Sequence, residues 1–128
     1  MKKLKGEIKG ELEVQGDLEL TGDLKVEKWI NVTGSIICNG YFIEAGDFIK
    51  AGDFIEAGNS IKAGNSIEAG NSILAQLWIK CENSLKARLY IYAGIKTWSE
   101  IVEGDDLIKC GKLESGEIKY GKLVETGI

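Results

Sequence analysis

Residues 43–75 read IEAGDFIKAGDFIEAGNSIKAGNSIEAGNSILA. The stretch is a six-residue unit, Ile-x-Ala-Gly-Asp/Asn-Phe/Ser, repeated without a slip, so isoleucine falls at Ile43, Ile49, Ile55, Ile61, Ile67, Ile73 and Ile79. A unit this short cannot bury its own apolar face. Its stability has to come from stacking on copies of itself, which makes the chain a solenoid.

The repeat also states how many units make one coil. Phenylalanine occupies one position in three consecutive units (Phe42, Phe48, Phe54), and serine occupies it in the next three (Ser60, Ser66, Ser72). The residue after each isoleucine alternates Glu44, Lys50, Glu56, Lys62, Glu68. With three units per coil, 18 residues, the alternation sets Glu44 against Lys62 and Lys50 against Glu68; with two or four it would set like charges against each other. The expected fold is therefore all-β, a single-stranded parallel β-helix of triangular cross-section. Dividing 128 residues by 18 gives about seven coils.

Working outward toward the N-terminus, residues 4–42 keep a period of two with one exception, Lys28. Leu12, Val14, Leu18, Leu20, Leu24, Val26, Ile30, Val32 and Ile36 lie on even positions, and charged residues such as Glu7, Glu11, Glu13, Asp17 and Lys25 lie on odd ones. That is a strand pattern. Glycines at 10, 16, 22, 34 and 40 break it every six residues or a multiple of six, where corners are expected. At Phe42-Ile43 the apolar phase moves from even to odd positions, so one extra residue, as a bulge or altered corner, is expected near 40–43.

Toward the C-terminus the repeat decays but keeps time: Ile79, Leu85 and Ile91 hold the isoleucine place, and Cys81, Ala87 and Ala93 the alanine place. The pattern reads as one domain over 1–128, with a regular core at 43–95 and a least regular, loop-like segment at 96–110. Asn59, Asn65 and Asn71 suit corners, because asparagine tolerates left-handed backbone angles and bonds locally.

Composition removes several functional classes. Sixteen basic against 20 acidic residues is the wrong balance for a protein that neutralises phosphates, so no nucleic-acid partner is expected. The charged start Met1-Lys2-Lys3-Leu4-Lys5 runs into Gly6-Glu7 instead of an apolar run, so a signal peptide is not indicated, and no segment is apolar for long enough to span a membrane. Cys38, Cys81 and Cys110 are odd in number, widely spaced and on apolar positions. They read as reduced, buried thiols in a cytoplasmic protein, with the membrane surface as the alternative location.

The chain contains no histidine. Six-residue solenoids that act as acyltransferases or zinc carbonic anhydrases use histidine as base or ligand, so neither activity is expected. Ser60, Ser66 and Ser72 have no dedicated base, Asp47 and Asp53 do not follow the nine-residue calcium repeat, and Thr21, Thr33, Thr97 and Thr126 are too few for an ice-binding face. Glu103, Asp105 and Asp106 are the only clustered carboxylates in the irregular segment and read as a solvated loop. No enzyme, metal or cofactor is expected.

Two features point to contacts instead. Adding 18 sets Leu74 against Tyr92, so Leu74, Trp78, Tyr90 and Tyr92 either cover corners or form an exposed lateral patch. The ends carry no visible cap. Leu4, Ile8 and Leu12 at one terminus and Ile118, Leu123 and Ile128 at the other are patterned as core, and Gly6-Glu7-Ile8-Lys9-Gly10 resembles Gly116-Glu117-Ile118-Lys119-Tyr120-Gly121. Axial self-assembly into a homopolymer is the expected role, with a monomeric binding module using the aromatic patch as the alternative.

The spacing in Gly16-Asp17-Leu18-Glu19-Leu20 and Gly22-Asp23-Leu24-Lys25-Val26, sustained over roughly residues 4–125, resembles the bactofilins. These are bacterial cytoskeletal proteins that polymerise without nucleotide through a right-handed triangular β-helix. The resemblance implies a right-handed solenoid, nucleotide-independent filaments, and partners among this chain's own copies and other cell-envelope or cytoskeletal proteins.

Overall fold

A computed structural model describes residues 2–94 and 104–127. Every regular element in them is a strand. In order these are β1 (Lys2–Ile8), β2 (Leu12–Val14), β3 (Leu18–Val26), β4 (Ile30–Val32), β5 (Ile36–Cys38), β6 (Ile43–Ala45), β7 (Ile49–Ala51) and β8 (Ile55–Ala57). There follow β9 (Ile61–Ala63), β10 (Ile67–Ala69), β11 (Ile73–Ala75), β12 (Ile79–Cys81), β13 (Ser84–Ala93), β14 (Leu107–Cys110), β15 (Lys112–Tyr120) and β16 (Lys122–Glu125). Among the described residues no helix is long and apolar enough to cross a membrane.

All pairings are parallel, and each strand pairs with the strand one coil away, so the chain is a β-solenoid. Three ladders run along it. Face A holds residues 6–8 of β1, 24–26 of β3, then β6, β9, β12, β14 and β16. Face B holds β2, β4, β7, β10 and the first halves of β13 and β15. Face C holds the first halves of β1 and β3, then β5, β8, β11 and the second halves of β13 and β15.

The 18-residue coil is present as the sequence predicts. Leu12 pairs with Ile30, Ile43 with Ile61 and Ile73 with Ile91. Between Leu24 and Ile43, and between Ile36 and Ile55, the step is 19. The extra residue therefore sits between Cys38 and Ile43, in the corner and not in a strand. Gly40 turns there at φ 79°, a left-handed angle that glycine adopts without a Cβ clash, and Tyr41 N–H donates to Cys38 C=O.

Two inward columns per face make the core. The isoleucine column on face A runs Leu24, Ile43, Ile61, Ile79, Ile108, every member fully buried, and the column beside it runs Val26, Ala45, Ala63, Cys81, Cys110. The large and small columns alternate because a three-sided coil narrows at its corners. The glycines at 46, 52, 58, 64 and 70, each after an alanine, then lie against the coil below: a Cβ on Gly64 would stand 2.2 Å from Gly46 O, and one on Gly70 2.1 Å from Gly52 O.

The outward charges also meet as predicted. Lys62 lies 3.7 Å from Glu44 and Lys50 3.5 Å from Glu68, and Lys25 and Lys86 extend the two ladders at 3.5 and 3.6 Å. The alternation stops after Ala75, where Lys62, Lys80 and Lys109 follow one another on face A. The Lys80 ammonium instead sits 4.4 Å above the Trp78 ring.

Several expectations need correction. The solenoid has about six coils and not seven, because Ile79 pairs with Ile108 and that single step takes 29 residues. Leu107–Cys110 is a strand inside the segment read as irregular, while residues 96–103 of that segment lie outside the described residues. Gly22 does not break its strand, since β3 runs through the corner from Leu18 to Val26. No non-glycine residue described has positive φ, so the asparagine corners do not use the left-handed region; the local bonding expected of them is present.

Candidate functional site

At each end of the solenoid the ladders stop with one side unpaired. Among the described residues β1 and β2 pair only with β3 and β4, and β15 and β16 only with β13 and β14. Along face B the first inward residue of each strand donates its N–H to the coil that follows, as Leu12 does to Trp29 O and Ile30 to Phe48 O, both at 2.9 Å. Among the described residues the strands at the C-terminal end have no following strand, and β1 and β2 have no preceding one, to complete the same ladder.

The predicted axial residues lie at these edges. Leu4, Ile8 and Leu12 at the N-terminal end, and Ile118 and Leu123 at the C-terminal end, are partly buried and pack against the core from outside it. They come from all three faces at the N-terminal end. Leu113, which sequence reasoning missed, supplies face B at the other end, so each end presents one apolar residue per face. Leu113 could have been found by its pairing with Leu85, but the long step after β13 disrupts the count. Ile128 lies outside the described residues.

Charge marks the two ends differently. Lys2 pairs with Leu18, a fully buried residue, so the lysine stands in an inward column where the first coil ends. Glu125 pairs with Cys110, also fully buried, and so occupies an inward column at the other end. Its carboxylate Oε2 accepts the N–H of Leu113 at 2.9 Å, the donor that in interior coils goes to the next strand. Neither residue was singled out from the sequence.

The predicted lateral residues divide. Leu74 pairs with Tyr92 on face C, Tyr92 with Tyr120, and Tyr90 meets Tyr92 edge-on at 6.4 Å between ring centroids. Trp78 instead precedes β12 and packs under Lys80 on face A, so it is not part of this strip. Tyr120 joins the strip and is among the most exposed large apolar residues, with Leu89 and Tyr90. Its membership was hidden because it lies 28 positions after Tyr92 and not 18. Elsewhere aromatics cover corners, as where Trp29 and Phe48 stack at 5.5 Å.

Residues that could carry chemistry are used structurally. Ser60, Ser66 and Ser72 each donate a hydroxyl to the preceding asparagine's Oδ1, at 3.3, 3.0 and 3.1 Å, and Asn83 Nδ2 donates to Asn65 Oδ1 one coil below at 2.8 Å. The thiols of Cys38, Cys81 and Cys110 are free and buried. Burial raises all three, Cys81 to about 12, with weaker help from Glu56 at Cys38, Cys110 at Cys81 and Glu125 at Cys110. Asp106 C=O accepts the N–H of Lys122 and so starts β16; Glu103 lies outside the described residues. Among the described residues no three His, Cys, Asp or Glu side chains cluster to hold a metal.

Compared with family models, curated proteins and solved structures, the chain matches none of them.

Proposed function

We propose that this chain is a structural protein that assembles into filaments by end-to-end stacking of its solenoid, without nucleotide. The observation that carries the reading is the pair of open axial edges, each with unpaired strand hydrogen-bonding groups and one apolar residue from every face. Stacking a second copy would extend three parallel ladders and cover Leu4, Ile8 and Leu12 with Leu113, Ile118 and Leu123. A contact of this kind does not close on itself, so it generates a filament. The spacing shared with bactofilins supports the same role, a cytoskeletal one in the cytoplasm.

Negative-stain microscopy and light scattering at neutral pH test it. Unbranched filaments whose mass grows with concentration are expected, and a 14.0 kDa monomer over a wide concentration range would overturn the reading.

The strip of Leu74, Tyr92, Tyr120 and Tyr90 favours a second reading, lateral recognition of a protein partner or of a neighbouring filament. Leu74→Ser with Tyr92→Ser should abolish lateral bundling while leaving axial growth intact. Unchanged bundling would remove the strip from the reading.

A further inference from the structure

The corner between β5 and β6 is built unlike its neighbours. Other corners tie their middle residue to the coil below, as Asp47 N–H donates to Lys28 O, Asn71 to Asp53 O and Leu77 to Asn59 O. This corner holds the extra residue of the 19-residue step, and its segment Cys38-Asn39-Gly40-Tyr41 turns on itself. Gly40 takes the third place of that turn at φ 79°, and the closing bond, Tyr41 N–H to Cys38 O, is 3.4 Å long, beyond the usual range of about 2.7–3.2 Å.

Asn39 and Gly40 are both exposed. Among the described residues the Asn39 side chain makes no hydrogen bond and Gly40 N–H has no acceptor. The other asparagines are held. Asn59, Asn65 and Asn71 each accept the hydroxyl of the serine that follows, Asn83 donates its amide to Asn65, and Asn31 lies inside β4 with the β-branched Val32 after it. A backbone nitrogen reaches the side-chain amide of the asparagine before it when no ladder bond restrains it and no side chain of its own stands in the way. Gly40 meets both conditions, and the space where its Cβ would stand is open.

We propose that Asn39-Gly40 is a site of self-modification in the folded protein, at which Gly40 N attacks Asn39 Cγ and ammonia leaves. The new N–Cγ bond replaces the Cγ–Nδ2 bond, the Gly40 amide proton departs with the leaving amine, and a cyclic imide remains. Water then opens the ring, at Cγ to give aspartate or at the Asn39 main-chain carbonyl to give isoaspartate. Water is the only co-reactant. Either product adds a carboxylate to the corner, and isoaspartate also puts a methylene into the main chain. The next coil lies close here, since Gly58 N–H donates to Cys38 O and a Cβ on Gly58 would collide with Gly40 N. A longer main chain at residue 39 pushes the corner against Gly58, so the isoaspartate form should unfold at a lower urea concentration than fresh protein.

Incubation of the full chain at physiological temperature and mildly alkaline pH, folded and in urea, tests this by peptide mass mapping. A methyltransferase specific for isoaspartate gives a second readout. The folded protein should gain the mass of amide-to-acid exchange at Asn39 at a rate close to that of the unfolded chain, and faster as pH rises, because the nitrogen attacks in its deprotonated form. Asn59, Asn65, Asn71 and Asn83 should convert more slowly folded than unfolded. Asn39→Gln, whose longer side chain does not close the same ring, should stay unchanged at that position. Folded protein that keeps Asn39 while the unfolded chain converts it would overturn the proposal, and so would conversion of the Asn-Ser pairs in the folded protein as fast as Asn39. Neither result depends on whether filaments form.

Discussion

Gly64→Ala is the sharpest test of how tightly the coils are wound. Replacing glycine by alanine at a position whose backbone angles alanine can adopt ordinarily stabilises by about 0.4–1 kcal/mol, by narrowing the unfolded ensemble. Gly64 does not have positive φ, so local propensity alone predicts a gain. The coil below reverses the sign. The new Cβ would stand 2.2 Å from Gly46 O and 3.0 Å from Gly46 C, both backbone atoms. Gly64 cannot swing away cheaply either, because its N–H donates to Ala45 O at 3.0 Å. Overpacking costs about 1–3 kcal/mol, and an approach of 2.2 Å to backbone atoms belongs at the upper end of that range, so after the unfolded-state gain is subtracted the net expectation is a loss of about 2 kcal/mol. With a urea slope of about 1–3 kcal/mol/M, the midpoint should fall by about 1 M.

Gly22→Ala is the internal control. Its Cβ would meet Lys5 Cβ and Cδ, each at 3.1 Å, so the exposed first coil need shift by only a few tenths of an ångström where Gly64 meets backbone at 2.2 Å, and the midpoint should move far less than for Gly64→Ala. Equilibrium urea unfolding of the three proteins, followed by far-UV circular dichroism below the assembly concentration, decides the matter. A Gly64→Ala midpoint equal to or above that of the parent would refute the claim that stacked corners and not local propensity set the glycine column.

Three further outcomes follow from the same geometry. Ile61→Ala, in a fully buried side chain between Ile43 and Ile79, should cost about 2–5 kcal/mol of unfolding free energy, and a loss below about 1 kcal/mol would show that the core collapses around the cavity. Lys50→Glu sets like charges at residue 50 and Glu68, with the uncharged Asn31 on the other side; because the pair is exposed, the cost should be only about 0.5–1 kcal/mol and should shrink in high salt, so a salt-independent loss would contradict the ladder. For Cys81, burial first of all raises the folded thiol from 9.0 to about 12, so its contribution is present below about pH 9 and is lost as the pH rises towards 12; in parallel, thiol reagents should label Cys38, Cys81 and Cys110 only after unfolding, and rapid labelling of the native protein would contradict their burial.

Much of the fold was legible because the repeat is a counting device. An Ile-x-Ala unit with alternating Glu and Lys states which residues face in, which face out and which lie one coil apart, and Glu44–Lys62 and Lys50–Glu68 form as that count requires. The extra residue was legible too. A one-residue slip exchanges the faces of a strand, so the change of phase at Phe42-Ile43 had to be absorbed nearby, and the Gly40 corner absorbs it.

Of the candidate contact surfaces, Leu4, Ile8, Leu12 and the Leu74–Tyr92 pair were legible because they lie within the regular count; Ile118 and Leu123, past the long step, were read only from their apolar alternation, and Leu113 was missed. The sequence placed Trp78 in the wrong company, since four residues after Leu74 the chain has already passed a corner.

What only the tertiary structure decided lies beyond that regular count. Once Ile79 pairs with Ile108, local periodicity no longer says which residue stacks on which, because the register after an insertion is set by the hydrogen bonds and core contacts of the preceding coil. Those contacts bring Tyr120 onto Tyr92, set Leu113 at the open edge and turn Glu125 into an inward column beside it. The sequence by itself determined a three-faced solenoid with 18 residues per coil. The packed chain decided where its last coils fall, and so gave the two open ends opposite charges at their rims.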